Sequence, residues 1–207
     1  PWSEAQARRW LIDPFHEYEA LFGLTPEEER LADLGSRYAL ALEGVELPLT
    51  LVHRDFNIWN VLLAGPDIRV IDWEGCRPGP ALCDLIHFTT HWHENARRLA
   101  DTAAKLAGFA ELFFDHRDVH PAHRAARTAL RNYLARMNMD ARLLPVLLVY
   151  TWLELSLRRA DQWRLQRVGG EIRAANLGVG YVGVLAAHAD RLFGATDYGA
   201  DFLNVPR

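Results

Sequence analysis

The 207-residue chain is poor in lysine and cysteine, and it lacks any strongly basic segment. Its only lysine is Lys105, and its two cysteines, Cys76 and Cys83, have no metal-ligand spacing. Such sparse cysteine suits a reducing cytoplasm. A net charge of −4 without a basic cluster gives no electrostatic reason to expect nucleic acid. We also find no apolar run of membrane-spanning length and no signal peptide, and therefore expect a cytoplasmic protein without a membrane partner.

The composition is that of an ordinary globular protein. Half of the residues are hydrophobic and 24% are charged. The length fits one domain with a substantial core, so we expect residues 1–207 to form a single domain. Helical patterns dominate, which predicts an α+β protein that is predominantly helical and has one small β hairpin.

Polar residues of the types that commonly act in catalysis or bind metal ions are concentrated in residues 51–84. Two short β-like runs, 61–63 and 68–71, are joined by Ala-Gly-Pro-Asp, which is turn chemistry. If these runs pair as an antiparallel hairpin, Asn60 enters one strand and Asp72 leaves the other, so both lie at its open end. Their oxygens suit one hard cation, with Asp55 nearby on the preceding loop.

This pattern resembles the catalytic segment of the kinase-like phosphotransferases. In that family a His-x-Asp-x-x-x-x-Asn loop is followed a dozen or so residues later by a metal-binding Asp. The matching residues here are His53, Asp55, Asn60 and Asp72. The Ile-Asp-Trp form at Asp72, followed by a Pro/Gly-rich run and Cys-Asp-Leu at 83–85, is similar to the aminoglycoside phosphotransferase and choline kinase branch, whose members phosphorylate small molecules.

Two residues depart from the patterns of related kinases. Protein kinases carry Lys where Asn57 stands and Asp-Phe-Gly at the metal site, so they fit this sequence less well. The aminoglycoside phosphotransferase and choline kinase branch usually has Gly or Asn where Arg54 stands, and often His where Asn57 stands. We assign no role to Arg54 or Asn57 from the sequence.

The resemblance implies a catalytic apparatus with ATP as co-substrate. Asp55 would be the general base, and Asn60 with Asp72 would bind Mg²⁺ or Mn²⁺. Glu74 would reach a second metal or remain a solvated loop acid. His53 would hold the loop by hydrogen bonds, and Asp84 would brace the loop or cap the helix that follows.

Residues 1–52 lack two features that a kinase-type site requires upstream. They contain no lysine and no glycine-rich phosphate loop. We therefore expect this chain to be the large, carboxy-terminal lobe of a protein-kinase-like fold, with the N-terminal ATP-binding lobe of the same protein absent. The isolated chain should then be inactive.

The predicted function is ATP-dependent transfer of the γ-phosphoryl group to a hydroxyl of a small molecule: an amino sugar, a sugar or an amino alcohol. The alternative is a non-catalytic binding or regulatory module that retains the kinase-like fold. The missing upstream residues favour that alternative, whereas the intact Asp55, Asn60 and Asp72 oppose it.

Helical periodicity covers most of the remaining chain. We predict a helix over 3–22 interrupted at Asp13-Pro14, and one from a Thr25 cap to about Glu43. The helix after Asp84 has an apolar face, formed by Leu85, Phe88, Trp92, Ala96 and Leu99. Further helices are predicted over 100–114, 121–137, 145–165 and 171–192, and an irregular tail from Gly194.

Glu154 is a further candidate for the acceptor site. Apolar residues flank it on two sides of its helix, which predicts an internal helix. Glu154 then either lines a pocket for a cationic acceptor or forms a structural pair, for instance with Arg158 four residues on.

Two other patterns are weaker. Residues 178–183 match the dinucleotide-binding glycine pattern, but no strand precedes them, so small residues for close helix packing are the better interpretation. The histidines form two clusters, His87 with His91 and His116 with His120 and His123, but helical spacing alone is weak evidence for zinc without a third ligand.

Overall fold

The computed structural model describes residues 1–115, 120–165, 176–194 and 197–203. The backbone divides into two compact units. The first unit combines Pro1–Glu46 with Asp140–Arg207, and the second is the continuous segment Leu47–Met139. Within the described ranges, no helix combines the length and apolar character needed to cross a membrane.

The described residues of the first unit form helices and connecting turns, without a strand. Its helices are α1 (Glu4–Ala7), α2 (Asp13–Phe22), α3 (Pro26–Leu40), α7 (Leu143–Leu165), α8 (Leu177–Ala187), α9 (Ala189–Phe193) and α10 (Tyr198–Leu203). The predicted interruption before Pro14 takes the form of a π-helical turn, Arg8–Ile12, between α1 and α2. Proline cannot donate a backbone hydrogen bond and crowds the carbonyl four residues earlier, and the wider turn accommodates both effects.

Helix α3 begins as the sequence predicts. The Thr25 side chain accepts from the Glu28 backbone N–H, and the Glu28 carboxylate accepts from the Thr25 N–H, which completes a capping box. The helix ends at Leu40 rather than near Glu43, and the chain turns at Gly44, whose φ is +84°. Glycine adopts that left-handed conformation without steric cost.

Helix α7 is internal, as predicted from its two apolar sides. Its residues from Leu143 to Leu153 are all buried. Gly178 on α8 packs so closely on α7 that a Cβ atom there would lie 2.6 Å from the Ser156 hydroxyl. The first glycine of the 178–183 pattern therefore serves helix packing. Residues 171–175 of the predicted helix 171–192 lie outside the described residues, and α8 begins after Asn176, whose side chain accepts from the Gly178 N–H.

The tail contains more helix than we expected. Residues after Gly194 were predicted to be irregular, which is wrong for α10. The Asp197 carboxylate accepts from the Ala200 N–H, as a helix-capping residue does. Glycine and aspartate are also frequent in loops, but in this segment they lie at the start of a helix.

The second unit contains two antiparallel strand pairs and helices α4 (Cys83–Ala96), α5 (Thr102–Phe114) and α6 (Pro121–Arg136). Strands β2 (Val61–Ala64) and β3 (Asp67–Val70) form the predicted hairpin, with Val61 opposite Val70. Gly65 in its two-residue loop has φ +63°, as such tight hairpins require.

The second strand pair was not predicted. Strand β1 (Leu49–Val52) pairs antiparallel with β4 (Arg77–Pro80), so that Leu49 faces Pro80 and Val52 faces Arg77. The sequence Arg-Pro-Gly-Pro argues against a strand, since proline has no N–H to donate. Proline is tolerated here because this sheet has only two strands, so β4 has a neighbouring strand on one side only. This pair fixes the entry to the polar loop that begins at His53.

The face of helix α4 that is buried differs from the apolar face that was predicted from the sequence. Its buried residues are Ile86, His87, Thr89, Thr90, His93 and Glu94. The two threonine hydroxyls donate to carbonyls of their own helix, which removes the cost of burying them. Two residues of the predicted apolar face, Leu85 and Phe88, contribute to the surroundings of the polar loop instead.

Candidate active site

Asp84, the second residue of α4, holds the loop that carries the candidate base. Its two carboxylate oxygens accept hydrogen bonds from consecutive backbone groups, the His53 N–H at 2.6 Å and the Arg54 N–H at 2.9 Å. Hydrogen bonds to an ionised group are the stronger kind. Asp84 thereby braces the loop, which is one of the two roles that the resemblance implies for it.

His53 connects the same loop to the hairpin. Its Nε2 atom lies 2.7 Å from the Ile71 carbonyl oxygen, and its Nδ1 accepts from the Asp55 N–H at 3.3 Å. Both contacts are satisfied when the ring proton is on Nε2, so that Nε2 donates. The ring is 1% exposed and packs 4.8 Å from the Trp73 ring. His53 is therefore placed to orient Asp55 rather than to meet a substrate.

The Asp55 carboxylate is held by two asparagine amides. Asn57 Nδ2 donates to Oδ1 at 3.1 Å, and Asn60 Nδ2 donates to Oδ2 at 3.3 Å. Each amide also donates to the Asp55 backbone carbonyl. An ionised carboxylate has about four lone-pair directions, so it can accept hydrogen bonds from several donors at once.

The candidate cation ligands lie at the open end of the hairpin. The Ile71 N–H donates to the Asn60 carbonyl at 3.0 Å, which extends the β2–β3 ladder by one residue beyond Val61 and Val70. Asp72, the next residue, has φ +67°, so the chain turns sharply as it leaves β3. Its carboxylate is exposed. Backbone pairing thus brings Asn60 next to the residue that precedes Asp72, as the hairpin argument requires.

Glu74 and Arg54 are neighbours of these residues in the sequence. Glu74 lies exposed in the 3₁₀ turn Trp73–Gly75, and its predicted role at a second metal stays a prediction. Arg54 has φ +69°, and its guanidinium donates to the Gly75 carbonyl at 3.4 Å. It therefore joins the loop to the segment after Asp72.

A cavity of about 210 Å³ lies behind the loop. Its walls include His53, Trp73, Asp84 and Tyr133, and they are mostly apolar. Burial raises the pKa of the Tyr133 hydroxyl. Hydrogen bonds from the loop to Asp84 and Ile71 and the ring contact between His53 and Trp73 lie on this side.

The hairpin presents a large exposed apolar surface. Leu63 and Ile68 face each other across the two strands and are 77% and 69% exposed. Trp59 on the adjoining turn is 78% exposed. A two-stranded hairpin is only marginally stable alone, and exposed apolar patches commonly mark an interaction site.

The histidines that the structure describes do not form a metal site. Among the residues that the structure describes, no three His, Cys, Asp or Glu side chains are arranged to hold a metal ion. His93 stacks on His123 with ring centroids 4.6 Å apart, and His87 lies edge-on to His91. His116, part of one predicted cluster, lies outside the described residues.

Glu154 lies on α7 in the first unit and is half-buried. Its neighbours Leu153 and Leu155 are buried, as the internal helix requires. Its predicted role in acceptor binding stays a prediction.

A sequence profile of a phosphotransferase enzyme family matches residues 2–125, which include all the loop and hairpin residues described above. The chain belongs to this family. Two solved structures of glucosamine kinase resemble the fold of this family member. One is crystal form B, with a TM-score of 0.51 and 22% identity over 93% of this chain. The other, a complex with glucosamine, ADP and inorganic phosphate, has the same TM-score and identity over 90% of the chain.

These comparisons establish the fold class predicted from the sequence, a kinase-like carboxy-terminal lobe. The chain spans 47% of the length of each glucosamine kinase chain. No curated protein matches the chain significantly.

Sequence reasoning missed one residue of the site in this phosphotransferase-family chain. Asn57 was left without a role, yet its amide contacts Asp55. The available signal was local, because an asparagine directly before a helical turn commonly accepts a hydrogen bond from the backbone N–H two residues further on. That geometry fixes the direction of the side chain.

Proposed function

We propose that this chain is the catalytic lobe of an ATP-dependent phosphotransferase that acts on a hydroxyl group of a small molecule. The observation that carries the proposal is the arrangement of Asp55, held between two amides, beside a hairpin end that presents Asn60 and Asp72. Membership of a phosphotransferase enzyme family supports the reaction class.

In the proposed reaction, Asp55 accepts the proton of the acceptor hydroxyl. The hydroxyl oxygen forms a bond to the γ-phosphorus of ATP, the bond between that phosphorus and the β–γ bridging oxygen breaks, and ADP leaves. Phosphoryl transfer of this kind depends mainly on positioning and charge stabilisation. A carboxylate fixed by Asn57, Asn60 and the loop braces supplies the positioning.

The residues present fit a magnesium ion. An amide oxygen from Asn60 and a carboxylate from Asp72 are the hard oxygen donors that Mg²⁺ or Mn²⁺ prefers, and Mg²⁺ binds few protein groups. Asn60 uses its nitrogen to hold Asp55, which directs the amide oxygen to other partners. When bound, the ion would neutralise charge on the ATP phosphates.

We further propose that an N-terminal ATP-binding lobe of the same protein completes the site. Residues 1–52 carry no lysine that could contact the phosphates, and Lys105 lies on α5. The exposed apolar residues of the hairpin, Leu63 and Ile68 among them, would be covered by that lobe.

The proposed acceptors are amino sugars first, then sugars and amino alcohols. The glucosamine kinase that shares this fold is solved with glucosamine and ADP. Glu154 supplies a carboxylate that suits a cationic acceptor.

The test is an assay of the complete protein with ATP and Mg²⁺ against a panel of amino sugars, sugars and amino alcohols. ADP release is followed together with phosphorylated product by mass spectrometry. Product that depends on both ATP and Mg²⁺ supports the proposal. Nucleotide binding without transfer to any acceptor would instead favour the non-catalytic binding module.

A further inference from the structure

Asn57 contacts both the candidate base and the turn that carries Asn60. Its Nδ2 donates to the Asp55 carbonyl oxygen at 3.2 Å and to the Asp55 carboxylate at 3.1 Å. Its Oδ1 accepts from the Trp59 N–H at 2.8 Å and caps the 3₁₀ turn Ile58–Asn60. One side chain therefore connects Asp55 to the turn on which Asn60 lies.

The orientation of this amide follows from chemistry. The Trp59 backbone N–H can only donate, so the atom 2.8 Å from it must be the amide oxygen. The amide nitrogen is then the atom that faces Asp55. An amide donor can support an ionised carboxylate, whereas an oxygen in that place would repel it.

We propose that Asn57 is a positioning residue for phosphoryl transfer, fixing the Asp55 carboxylate in the direction from which it accepts the hydroxyl proton. This inference rests on the proposed function. Asp55 lies in an irregular segment outside any helix or strand, so no regular backbone ladder fixes the position from which its side chain projects. Asn57 and Asn60 hold one carboxylate oxygen each, which restricts rotation about the bond to the carboxyl group.

Two substitutions distinguish the two contacts of Asn57, one with the Asp55 carboxylate and one with the Trp59 N–H. Asn57→Ser keeps an oxygen that can cap the turn at Trp59 but is too short to donate to the Asp55 carboxylate. Asn57→Asp keeps the size and the capping oxygen, removes the donor and places a second negative charge beside Asp55. Asn132→Ser, on an exposed position of α6 in the same unit, is the matched control.

The measurements are kcat, the KM values for ATP and acceptor, and the thermal unfolding midpoint, all in the complete protein. Asn57→Ser should lower kcat about 10-fold, the value of a hydrogen bond to a charged group, with little change in either KM. Asn57→Asp should lower kcat further, because repulsion is added to the lost bond. Asn132→Ser should match the wild type. Wild-type kcat in both Asn57 variants would overturn the proposal.

A double-variant cycle distinguishes positioning from a general structural effect. If Asn57 acts through Asp55, Asn57→Ser should not reduce the residual rate of Asp55→Ala any further. An equal reduction in both backgrounds would mean that Asn57 supports the fold rather than the base, and would overturn the proposal.

A structural measurement keeps the inference testable if the complete protein transfers no phosphate to any acceptor. In that case the proposed function fails, whereas the positioning of Asp55 is still open to measurement. High-resolution crystal structures of wild type and Asn57→Ser should show one Asp55 side-chain rotamer in the wild type and several in the variant. A single unchanged rotamer in the variant would refute the role assigned to Asn57.

Discussion

At the scale of single residues, the candidate site is defined by which atoms each polar side chain uses. Asp84 uses both carboxylate oxygens on backbone N–H groups, so it supports the loop. His53 uses both ring nitrogens within the protein. The Asp55 carboxylate accepts from two side-chain amides. These differences separate the supporting residues from the residue proposed to react.

The first prediction distinguishes the base from the metal ligand in the complete protein. Asp55→Ala should lower kcat by at least about 10²-fold, the low end for a lost general base, with little change in nucleotide affinity. Asp72→Ala should weaken nucleotide binding as well as turnover, because the ion connects protein and phosphates. Steady-state kinetics and nucleotide Kd measured by calorimetry check both.

Glu17→Ala, at an exposed position of α2, is the control for these variants and should leave both quantities unchanged. If Asp55→Ala turns over the acceptor at the wild-type rate, Asp55 is not the base.

The second prediction concerns the left-handed backbone at Arg54. Arg54→Gly and Arg54→Ala both lose the guanidinium contact with the Gly75 carbonyl, but only glycine adopts φ +69° without strain. Arg54→Gly should therefore be more stable than Arg54→Ala by about 1 kcal/mol. Urea unfolding of the two variants measures the difference.

The order should reverse at Arg124, an exposed position within α6. There Ala should be more stable than Gly by about 1 kcal/mol, since glycine is unfavourable inside a helix. The same order at both positions would contradict the strain argument.

At the scale of elements, helix α4 packs against different neighbours with two of its faces. Phe88 stacks on Phe56 of the loop, with ring centroids 4.8 Å apart, while the opposite side packs against α5 and α6. The buried pair His93 and His123 lies in that second contact. Around the pair are Arg97 directly after α4, Glu111 from α5, His120 directly before α6, and Arg127 from α6.

The third prediction follows from this buried pair. Burial, together with His123 and Arg97, lowers the pKa of His93 to about 3, and burial also lowers the pKa of His123. Because the unfolded chain then binds protons that the folded chain excludes, stability should fall as pH drops below the ordinary histidine pKa of about 6.5. For His93 alone the loss between pH 7.5 and pH 5 is about 2 kcal/mol.

Urea unfolding across that pH range measures this loss. His93→Phe keeps a ring on His123 but cannot be protonated, so its stability should depend less on pH than that of the wild type. His16→Phe replaces an exposed histidine on α2 and should keep the wild-type dependence. An equally steep dependence in His93→Phe would show that this histidine does not contribute.

At the scale of the whole molecule, the second unit contains both the residues that are proposed to react and a hairpin with exposed apolar side chains. Leu63 and Ile68 are exposed at the hairpin that leads to Asp72. The position of this surface fits the proposal that an ATP-binding lobe packs on it and brings nucleotide to Asn60 and Asp72.

The fourth prediction tests that proposal. Residues 1–207 alone should show no appreciable ATP-dependent transfer to any acceptor that the complete protein phosphorylates, because the phosphate-holding lysine and glycine-rich loop are missing from residues 1–52. A product assay by mass spectrometry on both proteins makes the comparison. Robust turnover by the 207-residue chain would contradict the proposal that a second lobe is needed.

The sequence by itself determined the features that depend on neighbours a few positions away. The β2–β3 hairpin and the Thr25 cap of α3 were predicted, because turn, cap and pairing chemistry is local. The internal position of α7 also follows from a local pattern, since apolar residues lie on both of its sides.

The tertiary structure decided what depends on distant partners. Strand β4 contains two prolines and becomes a strand only because β1 pairs with it. Helix α4 buries threonines and histidines because α5 and α6 lie on that side, which its periodicity does not reveal. Asp84 holds the loop 31 residues away in sequence. Hydrogen bonding and packing at such separations depend on how the chain folds back, which no local pattern specifies.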